Sequence, residues 1–259
     1  MDLGLQGKWA LVCGASKGLG YACAASLAQE GVNLVIVART RAALEESRDR
    51  IAAESGVDVV AVAADIAEQS GRRQAVQAAP RIDILVTNAG GPPAGDFRKL
   101  SHDDWLRALE SNMLAPIELM RMSVDPMIER GFGRIVNITS CAVKAPVDIL
   151  CLSNGARAGL TGFAGGLARQ IARHNVTLNN LLPGKFDTDR LRSNNQQRAR
   201  STGIAPELEA QRQIEAIPAG RFGTPAEFGQ ACAFLCSAQA AYITGQNLLI
   251  DGGAYPGTF

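Results

Sequence analysis

Seven short apolar runs separated by stretches of helical character constrain this chain more than any other feature. KWALVC, VNLVIVA, VDVVAV, RIDILVTNAG, GRIVNIT, NVTLNNLL and NLLID are rich in Val, Ile and Leu, with little alternation between apolar and polar positions. A strand apolar on both faces must be covered on both faces, and intervening helices supply that cover when the strands run parallel. The expectation is an α/β chain with a doubly wound, seven-stranded parallel sheet. Helices are expected from Tyr21 to Glu30, from Arg41 to about Ser55, from about His102 to Arg130, and after Ser153. At 259 residues one core suffices, so residues 1–259 are expected to form a single domain.

One segment breaks the rhythm. Residues 189–215, DRLRSNNQQRARSTGIAPELEAQRQIE, are polar, rich in Gln and Arg, and lie between two strands. Such a stretch is either surface decoration or a lid, and its place after a strand's C-terminal end favours a lid over a substrate.

Charge and cysteine content exclude several classes of function. Lys plus Arg total 26 against 25 for Asp plus Glu, a net charge of +1, so no global field attracts nucleic acid or an anionic membrane. The expected partner is a small-molecule substrate. The start, MDLGLQGKWA, lacks a signal-peptide pattern and no long uncharged apolar run follows, so a cytoplasmic protein without a membrane span is expected. Six cysteines contain no C-x-x-C pair and there are only two histidines, so no metal site is expected. Cys13, Cys232 and Cys236 read as small core hydrophobes. Cys141 and Cys151 flank the candidate site, with buried thiols the simpler reading.

The first strand ends in GASKGLG, which sets Gly14, Gly18 and Gly20 at a strand-to-helix turn with Ser16, Lys17 and Leu19 between them. Glycines at such a turn let backbone approach a pyrophosphate, which then rests on the helix N-terminus. In this context the chain resembles the short-chain dehydrogenase/reductase family nearly end to end. TNAG, with Asn88, Ala89 and Gly90, resembles the family's sheet-stabilising motif beside the cofactor. The resemblance places Asp65 and Ile66 of AADI at the adenine, and Pro183, Gly184, Phe186 and Thr188 of LLPGKFDT at the nicotinamide, while IDGG completes the set. It implies a Rossmann fold and a nicotinamide cofactor. The second strand ends with Arg39 where a carboxylate would hold the ribose of NAD, and Lys17 adds a second cation. Arg39 and Lys17 match a 2′-phosphate and favour NADP(H), with a solvated surface arginine as the alternative.

The resemblance further implies a catalytic set of Asn, Ser, and a Tyr and Lys four residues apart. Asn112 in ESNMLAP and Ser140 in NITS match the first two. The register fixed by ARAGLTGF sets Ser153 and Arg157 where the tyrosine and lysine would stand. An aliphatic hydroxyl is a far weaker acid than a phenol, and an ordinary arginine cannot relay a proton near neutrality. Loss of a general acid typically removes about 10²–10⁴-fold in rate. Among the remaining phenols, Tyr21 and Tyr242 read as structural, and Tyr255 in the tail could reach a neighbouring subunit. Lys144, Lys185 and Asp148 are the other proton-donor candidates, each with a solvated-loop alternative. The missing phenol also leaves room beside Arg157, Lys144 and Lys185, which suggests an acidic substrate or an activated carbonyl, enone or imine.

Gly159, Gly162, Gly165 and Gly166 crowd the helix after Ser153, where each costs about 1 kcal/mol relative to alanine. Close packing within the subunit would explain them. The resemblance implies instead that this helix meets its copy in a homodimer or homotetramer. Two functions remain open: an NADP(H)-dependent oxidoreductase resembling the 3-oxoacyl carrier-protein reductases, or an NADP-binding sensor or assembly subunit without hydride transfer. The retained Asn112 and Ser140 favour the enzyme.

Overall fold

The computed structural model describes residues 2–258, apart from the side chain of Ser201. Seven strands form one sheet in which every pairing is parallel. They are β1 (Trp9–Cys13), β2 (Asn33–Ala38), β3 (Val59–Ala63), β4 (Ile84–Thr87), β5 (Gly133–Ile138), β6 (Val176–Pro183) and β7 (Asn247–Ile250), in the order β3-β2-β1-β4-β5-β6-β7. The order reverses direction between β1 and β4, where doubly wound sheets open a crevice at the strands' C-terminal ends.

Alternate residues of the strands feed separate cores. Val12, Ile36, Val86 and Val136 pack to one side, while Leu11, Val35, Leu85 and Ile135 pack to the other. This two-sided burial is why the strands read as unbroken apolar runs. Helices α1 (Gly18–Gln29) and α2 (Arg41–Ser55) contribute Leu27, Leu44 and Ile51 to the first core. On the other face a short α3 (Gln69–Gln77) contributes Ala75.

The expected helix from His102 to Arg130 is instead two helices, α4 (His102–Leu109) and α5 (Ala115–Glu129), joined by a wider π-helical turn over Glu110–Leu114. Pro116 explains the break: it has no N–H to donate to the carbonyl four residues back, that of Asn112. Helix α6 (Cys151–Ile171) buries Leu160, Ala164 and Ala168 in the second core. The polar stretch after β6 folds as α7 (Asp189–Thr202) and α8 (Pro206–Glu215). Thr188 caps the first, Gly203 ends it at a φ of 71°, and Pro206 opens the second. Helix α9 (Pro225–Cys236) starts with a capping box of Thr224 and Glu227 and packs on α1 so closely that a Cβ on Gly229 would lie 2.3 Å from the Ala22 carbonyl oxygen. Among the described residues no helix is long and apolar enough to cross a membrane.

Candidate active site

Because the strands are parallel, their C-terminal ends share one edge of the sheet. Gly14 follows β1, Arg39 follows β2, Asp65 lies two residues past β3, Asn88 follows β4, Ser140 lies two residues past β5, Gly184 follows β6 and Asp251 follows β7. Residues far apart in sequence thus become neighbours on one rim.

The β1–α1 turn is built from close backbone approach. Gly14 has a φ of 62°, and a Cβ on Gly20 would lie 2.2 Å from the Gly14 carbonyl oxygen. Asn88 Nδ2 donates to that same oxygen at 3.4 Å, tying β4 to the turn. Ser47 on α2 donates to the Ser16 carbonyl at 2.9 Å. Helix α1 starts at Lys17 with no side-chain cap and no acid in its first turn, so its end is electropositive and open to an anion. Arg39 is exposed, with Nη1 4.0 Å from Asp65, and Asp65 Oδ1 also accepts from the Ala67 N–H. These features fit a dinucleotide phosphate, and the basic pair Lys17 and Arg39 fits an additional phosphate.

At the β5 end, Ser140 Oγ accepts from the Ala142 N–H and caps a 3₁₀ turn over Cys141–Val143 that runs into Lys144. Asn112, almost fully buried in the π-helical turn, donates from Nδ2 to Ser111 at 2.8 Å while its Oδ1 has no hydrogen-bond partner. Ser153 is buried on α6, and its hydroxyl makes no hydrogen bond among the described residues. One turn on, Arg157 donates from Nη1 to the carbonyls of Ile138 and Thr139, both at 2.7 Å, and from Nη2 to Ala89 at 3.3 Å. No carboxylate pairs with it. Burial away from water, with the charge of Arg190 adding, pulls this guanidinium down to about 10, still cationic at neutrality. Between Thr87, Asn88, Asn112, Ile138 and Arg157 lies a cavity with room for about one water.

Past β6, Lys185 keeps contact with solvent while its carbonyl accepts from the Gly223 N–H. Partial burial lowers its ammonium pKa, and the nearby charge of Arg198 lowers it further against an opposing contribution from Glu209. Cys141 lies within electrostatic reach of both Lys185 and Asp251, and burial pushes its thiol pKa up. Lys144 Nζ stands 5.8 Å from the ring centroid of Tyr255, whose backbone N–H donates to Asp251 Oδ2 at 2.8 Å. The start of the polar segment after β6 meets the rim. Thr188 Cγ2 would lie 3.8 Å from a Cβ on Gly18, and Arg190 Nη2 reaches the Gly91 carbonyl at 3.2 Å.

Several sequence expectations need correction. Phe186 turns its ring into the core, edge-on to Phe228 at 5.1 Å between centroids, so only its backbone remains at the rim. Ile66 is likewise buried. Asp148 lies in an exposed 3₁₀ turn over Asp148–Leu150, within a short stretch of exposed residues. Tyr242 is fully exposed and serves no packing role within the subunit, and Tyr255 stands beside Lys144 of its own chain. Gly159 is explained inside the subunit by Met113, whose sulfur would lie 2.8 Å from its Cβ; Gly162, Gly165 and Gly166 meet nothing within 4 Å. Sequence reasoning missed Ser47, Arg190 and Asp251. No local signal marks the first two, whereas Asp251 stood in the IDGG motif.

The family model described as enoyl-(acyl carrier protein) reductase matches residues 14–255. The chain is 33% identical over 260 residues to the 3-oxoacyl-[acyl-carrier-protein] reductase FabG of Aquifex aeolicus, covering 98% of this chain and 100% of that protein. It is 36% identical over 256 residues to nodulation protein G of a Rhizobium species, covering 96% and 97%. Among solved structures, L-sorbose reductase from Gluconobacter frateurii, complexed with NADPH and L-sorbose, superposes with a TM-score of 0.95 at 30% identity, covering 99% of this chain and 100% of that one. With motifs, sheet order and relatives agreeing over nearly its whole length, the chain belongs to the short-chain dehydrogenase/reductase family.

Proposed function

We propose that the protein is an NADP(H)-dependent reductase of a carbonyl compound, 3-oxoacyl-like or otherwise activated, with an altered catalytic set. One observation carries this reading: the uncapped α1 N-terminus and the Ser140–Lys144–Lys185 group lie on the same rim, on the two sides of the switch point. Gly14, Gly18 and Gly20 would hold the pyrophosphate, Arg39 and Lys17 the 2′-phosphate, and Asn88 to Gly90 with Pro183, Gly184 and Thr188 the nicotinamide half. The NADPH bound in the sorbose reductase structure supports this choice. The bound cofactor would supply a hydride to the carbonyl carbon.

In this reading Ser153 and Arg157 occupy the family's tyrosine and lysine positions. Ser140 orients the carbonyl by donating to its oxygen. Lys185 is the proton donor, because its lowered pKa lets the ammonium release a proton more readily to the developing alkoxide; water then restores it. Arg157 spends three of its five N–H groups on strand-end carbonyls, so it fixes the shape of the floor. That commitment also gives the second reading its support. With Arg157 held by backbone and Ser153 unbonded, a cofactor-binding sensor or assembly subunit would need no proton path.

The test is NADPH binding by fluorescence, followed by single-turnover NADPH oxidation with ketones, keto acids, enones and imines, in the wild type, Ser153→Ala, Ser153→Tyr and Lys185→Met. Consumption of NADPH by the wild type, with loss of about 10²-fold or more in Lys185→Met, supports the reductase. Tight NADPH binding without oxidation by any compound, together with activity gained in Ser153→Tyr, supports the sensor.

A further inference from the structure

Four carboxylates around the candidate site are committed to other partners, while Asp148 stands exposed in its own turn. Asp251 accepts from the Gly253 and Tyr255 N–H groups. Glu209 accepts from Gln213 at 2.7 Å and faces Arg198 at 3.8 Å. Asp187 and Asp189 are paired with Arg192. Of the cations, Arg157 and Arg190 are bound to backbone carbonyls.

Lys144 is different. It has no carboxylate partner among the described residues, yet it is not a freely solvated lysine, since the Tyr255 ring backs it and Asp251 holds the Tyr255 backbone. It also closes the 3₁₀ turn that Ser140 opens, its N–H donating to Cys141 at 3.0 Å. With a rise of about 2 Å per residue, that turn sets the two residues about 8 Å apart along its axis. A hydroxyl able to orient a carbonyl and a cation without an ion-pair partner among the described residues thus cap the two ends of one short turn. In the polar segment beyond β6, Asn195 of α7 and Gln213 of α8 are buried and bonded to each other at 2.8 Å.

Resting on the reductase reading, we infer that the substrate is a small oxo acid whose carboxylate docks on Lys144 while its carbonyl meets Ser140, and that Tyr255 is the positioning residue for Lys144. An ammonium–carboxylate contact at a partly desolvated site adds affinity and selects against the neutral analogue. The closing of the C-terminal tail on Lys144 is then part of substrate recognition.

The experiment uses acetoacetate and its neutral methyl ester as matched substrates with NADPH, and malonate as a non-reacting probe titrated by calorimetry. Lys144→Met is expected to lower kcat/KM for acetoacetate about tenfold or more beyond any change for the ester, and to weaken malonate about tenfold, with Lys144→Arg recovering most of the malonate affinity. Tyr255→Ala is expected to weaken malonate several-fold more than Tyr255→Phe, which keeps the ring. Equal response of acid and ester to Lys144→Met, or malonate affinity indifferent to Lys144, overturns the inference. Turnover of the ester with no acid preference removes the oxo acid and leaves the reductase standing. If neither compound oxidises NADPH, Lys144-dependent malonate binding still decides the anion site, and the reductase reading is judged separately by the wider panel.

Discussion

A buried arginine stands at each end of strand β5, Arg134 within the strand and Arg157 reaching in from α6, and the two ends differ in what surrounds the charge. At the N-terminal end Arg134 is almost fully buried and donates to the carbonyls of Gly133, Asn175 and Ser237, with its guanidinium carbon 4.4 Å from the centre of the Phe132 ring. At the C-terminal end Arg157 likewise donates to three carbonyls. Neither has a carboxylate partner, and burial lowers the pKa of both. The contrast lies around them: Arg134 is sealed by packed groups, whereas Arg157 borders a water-sized cavity, an unsatisfied Asn112 Oδ1 and an unbonded Ser153. The same solution to burying a guanidinium thus closes one edge of the sheet and leaves the other open. The two ends differ in this opening rather than in the charge itself.

Substitution is the strongest way to break this comparison. Arg134→Met strands the buried carbonyls of Gly133 and Ser237 and is expected to cost about 3–5 kcal/mol in denaturant unfolding. NADPH affinity of the folded fraction should be unaffected. Arg157→Met should cost less, about 2–4 kcal/mol, because water can enter beside it, but should also weaken NADPH binding or turnover. Equal stability losses, or intact function in Arg157→Met, would erase the distinction between the two ends.

A smaller effect sharpens it. Asn112→Leu removes an unsatisfied acceptor and one bond to Ser111, so stability should change by no more than about 1 kcal/mol while any turnover falls. A large loss of stability with intact turnover would make Asn112 purely structural.

The pH profile gives a further reading of the open edge. With Lys185 as the proposed proton donor, kcat should hold on the acid side and fall as pH rises through a value below the ordinary lysine 10.5, and Lys185→Met should remove that fall. The smallest expected effect lies away from both ends, at the start of α9. Arg221, then the Thr224 cap, hold Glu227 down to about 2. Since its folded value lies below the ordinary 4.5, its contribution is present above that value and is lost as pH falls toward 2. Protection factors of the amides in the first turn of α9, corrected for the intrinsic pH dependence of exchange, should fall over that window, and Glu227→Gln should abolish the change.

The relatives explain why so much was legible. Seven apolar runs gave the parallel sheet, since two-sided burial leaves no polar face to hide the strands, and the glycine turn was readable because its requirement is local. Motif spacing alone is what singles out Ser140 and Asn112 as site candidates. The break at Asn112 was not legible, although Pro116 was in plain view, because a proline after a long periodic stretch can end, bend or widen a helix. The ring of Phe186 went to the core because a residue's face depends on what packs above it, here Phe228.

The sequence by itself determined the fold and the family and put a serine at position 153 and an arginine at position 157, since each follows from pattern or identity along the chain. Only the tertiary structure decided what those side chains face. The Ala89 carbonyl that Arg157 meets just past β4 lies 68 residues away, and Arg190 crosses 99 residues to Gly91. Lys144 meets a ring from the far end of the chain. Contacts between elements brought together by the sheet leave no trace in local pattern, because many sequences satisfy the same strands and helices while pairing their rims differently.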